Sequence, residues 1–405
     1  MRNIKKLALA ILVLVTLFNV GCSSSHDFEH QVNVAVKPYR FSIAGWEVNT
    51  FFTEIKQLFH QPVKNAQTDT EITNEYISLG HQIHDLKNKI TAANQANIQT
   101  QINGLQQQQN NLTPAVEKII ERQTTQVLKE MGIYQPWYKH IKLKFTFPAP
   151  DFKLETPPHL LVISPRDKIN TLKTILLSPN LSTDQMSSIE ADVDKLNVSS
   201  LVVDLGGIAT YPNIVASDSD FQYIIDTCAH EWTHAYLAFT PLGFRYILNI
   251  AGLSHNADIT TMNETVADMV GKEVGDAIIE KYYPQLQTNS QNTQSISPPA
   301  FDFNKEMHAI RVQVDQYLAA GEINVAEQYM NQQRDYLKAN GYYIRKLNQA
   351  FFAFNGNYAD TPAFENTIGT QLSRLRADSN TLKDFLNTVS SFTNLQSLES
   401  ALKQK

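Results

Sequence analysis

Residues 230–234 read His-Glu-Trp-Thr-His, and residues 264–268 read Glu-Thr-Val-Ala-Asp. Two histidines four apart share one face of a helix, so both imidazoles can reach a single cation. Glu231 points about a quarter-turn away, toward the place a metal-bound water would occupy. Glu264 and Asp268 are also four apart and again share a face. A catalytic zinc site needs three protein ligands and an open position. His230, His234 and Glu264 supply such a set for Zn2+, with Glu231 as general base. Asp268 can accept a hydrogen bond from the far nitrogen of a ligand histidine, fixing its tautomer and raising its basicity. Taken singly, each residue has a bland reading: a core histidine, a salt-bridge partner, a carboxylate at a helix start. The joint spacing is what argues for a metal.

Helices must position these groups. Ile224, Ile225, Cys228, Trp232 and Leu237 give apolar faces around the first motif, and Thr240-Pro241-Leu242-Gly243 stops that helix. Candidate helices cover 219–239, 262–283, 302–319, 322–339, 341–354 and the tail beyond 362. Upstream, Ile72, Tyr76, Leu79, Ile83, Leu86 and Ile90 recur at steps of four and three. Ile98, Ile102, Leu105, Leu112, Val116 and Ile119 repeat the stripe. Two stripes broken near 92–97 predict an antiparallel helical hairpin, packed on the main body in preference to standing free as a lid or partner arm. Residues 39–62 carry a helical aromatic pattern around Trp46 and Phe51. Between 139 and 215 the character changes. Lys142–Phe147 alternates, as does part of 152–155, while His159–Ile163 and Ser200–Leu205 are compact apolar runs. One helix is inserted around Thr183–Leu196. Pro212 has no backbone donor, which makes the strand that ends there an edge.

The fold expected is α+β and predominantly helical: an N-terminal helical hairpin, a small mixed sheet and a zinc-bearing helical half. Boundaries fall at 1–21 (signal peptide), 22–38 (tether), 39–138 (helical region with hairpin), 139–285 (sheet plus zinc-site core) and 286–405 (C-terminal helical region).

In these motifs the chain resembles the gluzincins, the group that includes thermolysin and many aminopeptidases. Residues 230–234 match their HExxH helix, and 264–268, with Asn263 before them, match the Glu helix that follows. The resemblance covers roughly 200–285. It implies hydrolysis of peptide bonds, and an edge strand beside the zinc helices to which extended peptide adds; Gly207–Tyr211 stands where that strand belongs. Gluzincins also use a Tyr or His from the C-terminal helices to stabilise the oxyanion. Tyr343 and Arg345 are the candidates here, with Tyr342, His308, Tyr358 and His255 as rivals.

Composition bounds the remainder. Of 405 residues, 42% are hydrophobic and 18% charged, as in a folded chain, and the net charge of -6 without a long basic run excludes a nucleic-acid partner. Arg2, Lys5 and Lys6 precede an apolar run, Leu7–Phe18, too short to span a bilayer. Gly21-Cys22 then resembles a bacterial lipobox, although Asn19 stands where that pattern has Leu. Cys22 would carry the lipid, Ser23 resembles an outer-membrane sorting signal, and the Ser-rich stretch would be a flexible tether. The expected setting is extracytoplasmic, anchored to a membrane by lipid. With Cys22 lipidated, Cys228 has no disulfide partner and reads as a small buried hydrophobe. Two other readings stay open: a partner-binding surface lipoprotein with a structural zinc site, and a zinc amidase acting on a non-peptide substrate.

Overall fold

The computed structural model describes residues 26–47, 50, 68–89, 95–137, 142–218, 220–254, 256–286, 301–356 and 367–403. Helix α1 spans His26–Val36. Over 26–36 a helix stands where a tether was expected at 22–38, and 22–25 lie outside the described residues. Phe28, Val32, Ala35 and Val36 fall on one face, and Val32 and Val36 are fully buried against Leu161, Ile163 and Val193. Most of the 39–62 pattern lies outside the described residues.

The hairpin is present as α2, Asp69–Lys87, and α3, Gln95–Glu130. Thr68 caps α2 in a reciprocal pair with Glu71. Its base is body, not arm. Ile72, Tyr76, Val116, Ile119, Ile120, Val127 and Leu128 join the main core, while Ile83, Ile98 and Ile102 form a small cluster toward the tip.

Two three-stranded sheets follow where one was expected. Strands β1 (Phe152–Leu154), β2 (His159–Pro165) and β3 (Lys173–Leu177) precede helix α4 (Thr183–Asp194), β4 (Val198–Val203), β5 (Gly207–Ile208) and β6 (Asn213–Val215). One sheet is antiparallel, in the order β3-β2-β4. The other is mixed, in the order β1-β6-β5, with β1 parallel to β6. The edge predicted at 207–211 is found, but only Gly207 and Ile208 pair; the strand after Pro212 is central. Residues 142–147 form no strand. An alternating run needs a partner to cover its apolar side. Here Leu143 and Phe145 stay exposed while Phe147 packs between Trp137 and Phe239.

Helix α5 spans Phe221–Leu237, α6 Pro241–Ile250 and α7 Ala257–Tyr282. Helix α6 was not anticipated. Thr240 and Pro241 do stop α5, and the same pair starts the next helix: the Thr240 hydroxyl accepts from the Gly243 N–H, and Pro241 sits where a missing donor costs nothing. Helices α5 and α7 run antiparallel in close contact. One face of α7 reads Glu264, Asp268, Gly271, Gly275. A Cβ on Gly275 would lie 1.9 Å from Asp226 Oδ1, and one on Gly271 would lie 2.8 Å from the Asp226 carbonyl and 3.0 Å from His230 Cβ. The glycines bring the two backbones together below the carboxylates. Trp232, inside the first motif, is fully buried and donates from its indole to the Pro148 carbonyl at 2.8 Å.

The C-terminal helices divide in two. Helices α8 (Phe303–Ala319) and α9 (Ile323–Ala339) pack on each other around Met307, Ile310, Val314 and Met330, and α10 (Gln349–Asn355) lies against β2 and β4. Helices α11 (Thr367–Ala377), α12 (Leu382–Val389) and α13 (Leu395–Lys403) join the main core. The helix expected over 341–354 begins only at Gln349, capped by Asn348. Gly341, at φ +91, ends α9, and the segment after it is extended, reaching Glu190 and Asp194 through Arg345 and Lys346.

Candidate metal centre

Helix α5 presents His230 and His234 one turn apart, and α7 brings Glu264 opposite them. The two imidazole Nε2 atoms are 3.0 Å apart. Glu264 Oε2 lies 3.7 Å from Nε2 of His230 and 3.4 Å from Nε2 of His234. Three potential ligand atoms therefore converge in a mostly buried space. His230, Glu231 and His234 also form a group whose ligand atoms lie within 4.8 Å of one another and could hold a metal ion.

Each imidazole is held from behind. His230 Nδ1–H donates to Asp268 Oδ1 at 2.8 Å, and His234 Nδ1–H donates to Asn263 Oδ1 at 2.6 Å. Both Nε2 atoms are thereby turned inward, the arrangement that metal-binding histidines require. With both far nitrogens donating, the contact between the Nε2 atoms needs one more proton. Burial opposes a charge on His230, but the Asp268 hydrogen bond and the charges of Glu231, Asp268 and Glu264 outweigh it, raising the imidazole to about 9.

The chemistry of the donor set fits a metal. Glu264 Oε1 accepts a short hydrogen bond from the Tyr246 hydroxyl, whereas Oε2, buried and turned to the histidines, has no hydrogen-bond partner. Burial pushes the Glu264 carboxyl up, and the two histidines and Tyr246 more than reverse this, so it stays ionised. Oε2 has only the charges of the two histidines, at 3.4 and 3.7 Å, to offset its burial, and a cation among the two Nε2 atoms would satisfy it more fully. Two imidazoles with one carboxylate oxygen form a set that could hold a metal ion.

Glu231 is buried beside these groups, against strand β5. A Cβ on Gly207 would lie 2.6 Å from Glu231 Oε1. Burial raises the Glu231 carboxyl above its ordinary value, opposed by His230 and His234 and reinforced by Glu264 and Asp268.

All five residues expected at the centre (His230, Glu231, His234, Glu264 and Asp268) are brought together. The expected oxyanion candidates are not. Arg345 donates to both carboxylate oxygens of Glu190, at 3.0 and 2.5 Å, and to the Val202 carbonyl at 2.7 Å, tying the C-terminal segment to α4 and β4. Tyr343 is 72% exposed, and its ring lies under the Lys338 ammonium. Tyr342 stacks on Phe303, and His308 lies on α8. Cys22, His255 and Tyr358 lie outside the described residues. Cys228 is fully buried and its thiol is pushed well up by that burial, which makes it inert.

Two participants had escaped notice. Tyr246, on the unanticipated α6, also stacks on His234 with ring centroids 5.3 Å apart and planes 9° from parallel. Gly207 was read as strand, without its contact to Glu231. The Thr-Pro start of α6 was a signal that could have found Tyr246; nothing local marks the Gly207 contact.

No protein-family model, no curated protein and no solved structure matches the chain.

Proposed function

We propose that the chain is a zinc-dependent hydrolase of peptide bonds, similar in its site to the gluzincins, with His230, His234 and Glu264 as ligands and Glu231 as general base. The observation that carries this reading is the convergence of Glu264 Oε2, which has no hydrogen bond, on two imidazoles whose far nitrogens are already engaged. Bound zinc would supply Lewis-acid chemistry, lowering the pKa of a coordinated water and polarising a carbonyl. The protein residues do the rest. Glu231, its carboxyl raised above the ordinary value by burial, takes a proton from the attacking water and passes it to the leaving amine. Asp268 and Asn263 keep both imidazoles facing inward. Strand β5, at the edge of its sheet beside Glu231, can align an extended peptide through its backbone.

A base next to the ligands favours catalysis over a structural site, which has no use for one. The basic-apolar opening and Gly21-Cys22 support an extracytoplasmic, lipid-anchored setting. No helix among the described residues is long and apolar enough to cross a membrane. The test is peptide hydrolysis that stops on chelation and returns when one equivalent of zinc is added; hydrolysis indifferent to chelation sinks the proposal.

A further inference from the structure

We infer that Tyr246 is a positioning residue that restricts Glu264 to a single coordinating oxygen; this rests on the zinc reading above. The two oxygens of Glu264 are not equivalent. Oε1 is held by the Tyr246 hydroxyl, and Oε2 alone faces the two Nε2 atoms without a hydrogen-bond partner. For the carboxylate to chelate with both oxygens, Oε1 would have to leave the phenol.

Tyr246 is poorly free to follow. Its ring stacks on His234, so one side chain touches two of the three ligands. Helix α6 is fastened at both ends. At its start, Leu242 is fully buried and its N–H donates to the Ser390 carbonyl at 3.2 Å. At its end, the Asn249 amide donates to the Asn256 carbonyl at 2.6 Å and to Thr260 Oγ1 at 3.2 Å, and the Asn256 N–H donates back to Asn249 Oδ1 at 3.3 Å. Asn256 in turn caps α7, the helix of Glu264. The donor and the carboxylate it holds are thus linked through the hydrogen bonds that join Asn249 to Asn256 and Thr260.

The consequence concerns the open position. Three ligand atoms leave room for water and a substrate carbonyl, and a second Glu264 oxygen would compete for that room. The hydroxyl of Tyr246 therefore keeps the site open by holding Oε1 of Glu264.

The test is the visible spectrum of the cobalt-loaded chain, wild type beside Tyr246→Phe. Ligand-field bands of cobalt weaken as the coordination number rises. The expected result is cobalt bound by both, with severalfold weaker bands in the variant because Glu264 now chelates. Equal bands with cobalt bound overturn the inference and leave the zinc reading standing. No cobalt bound by the wild type overturns both. Should Tyr246→Phe not fold, a crystal structure of the zinc-loaded wild type decides. One Glu264 oxygen at about 2 Å from the metal, with Oε1 still on Tyr246, is expected, and both oxygens at that distance overturn the inference.

Discussion

Between Gly207 and Glu231 there is no space for a side chain: a Cβ on Gly207 would lie 2.6 Å from Oε1 and 2.8 Å from Cγ of the glutamate. The edge strand and the proposed base are therefore set against each other, and only glycine leaves room. Gly207→Ala should push Glu231 aside, lowering kcat/KM by roughly 10²-fold, the scale of an ångström's misplacement. Zinc affinity should be unchanged, since no ligand is touched. Steady-state kinetics with a zinc titration checks both; a loss of zinc equal to the loss of rate would contradict the assignment.

His230 holds a proton up to about 9 in the metal-free chain, because Asp268 and its anionic neighbours outweigh burial. Zinc bound as proposed would have to displace that proton. Calorimetry in buffers of different ionisation enthalpy should show a buffer-dependent heat of zinc binding, and affinity should rise with pH through neutrality. Asp268→Asn should release fewer protons and bind zinc about 10–100-fold more weakly. Heats independent of the buffer would contradict the protonated His230.

Asp226 lies on α5 one turn before His230, against Gly275. Burial raises its carboxyl to about 6, with the Gln222 hydrogen bond opposing and the Asp276 charge reinforcing. The folded state binds this proton more tightly than the unfolded chain, whose carboxyl titrates at about 4. The stabilisation is therefore complete below about pH 4 and is lost as pH rises through about 6. Asp226→Asn, neutral throughout, should flatten the urea midpoint over that window and exceed wild type in stability at neutral pH. A midpoint for wild type that climbs across the window more steeply than for the variant would reverse the sign and refute the account.

Arg345 braces the fold. It is the main partner of Glu190, which is 4% exposed and also bonds the Val202 N–H at 2.7 Å, with Lys346 3.6 Å away. Arg345→Ala should destabilise the chain by about 3 kcal/mol, the cost of stranding a buried carboxylate, moderated by Lys346. Zinc affinity should not change. Denaturant unfolding measures the first and a chelator competition the second.

The local part of this site was legible because helix periodicity is local. Spacings of four residues place His230 with His234 and Glu264 with Asp268 without any tertiary contact, and the apolar neighbours of Cys228 mark it as core. The hairpin stripes were equally plain. The misses are non-local or hidden by a competing signal. Thr240-Pro241 ends one helix and begins another, so α6 and Tyr246 were lost behind the stop. Polar neighbours obscured the spacing of Phe28, Val32 and Val36, and α1 was read as tether. Tyr343 and Arg345 were chosen because the segment is dense in chemically able residues. Composition carries no direction, and Glu190, 155 residues away, claims the arginine.

In the proposed mechanism Glu231 performs chemistry at a metal held by its neighbours. The most direct measurement is cleavage of a mixed-length peptide library by the zinc-loaded chain, read by mass spectrometry beside Glu231→Gln. The account predicts that both proteins bind one zinc, that wild type cleaves and that the variant is slower by at least about 10²-fold. Zinc bound by both with cleavage by neither, or with equal cleavage by both, would contradict it.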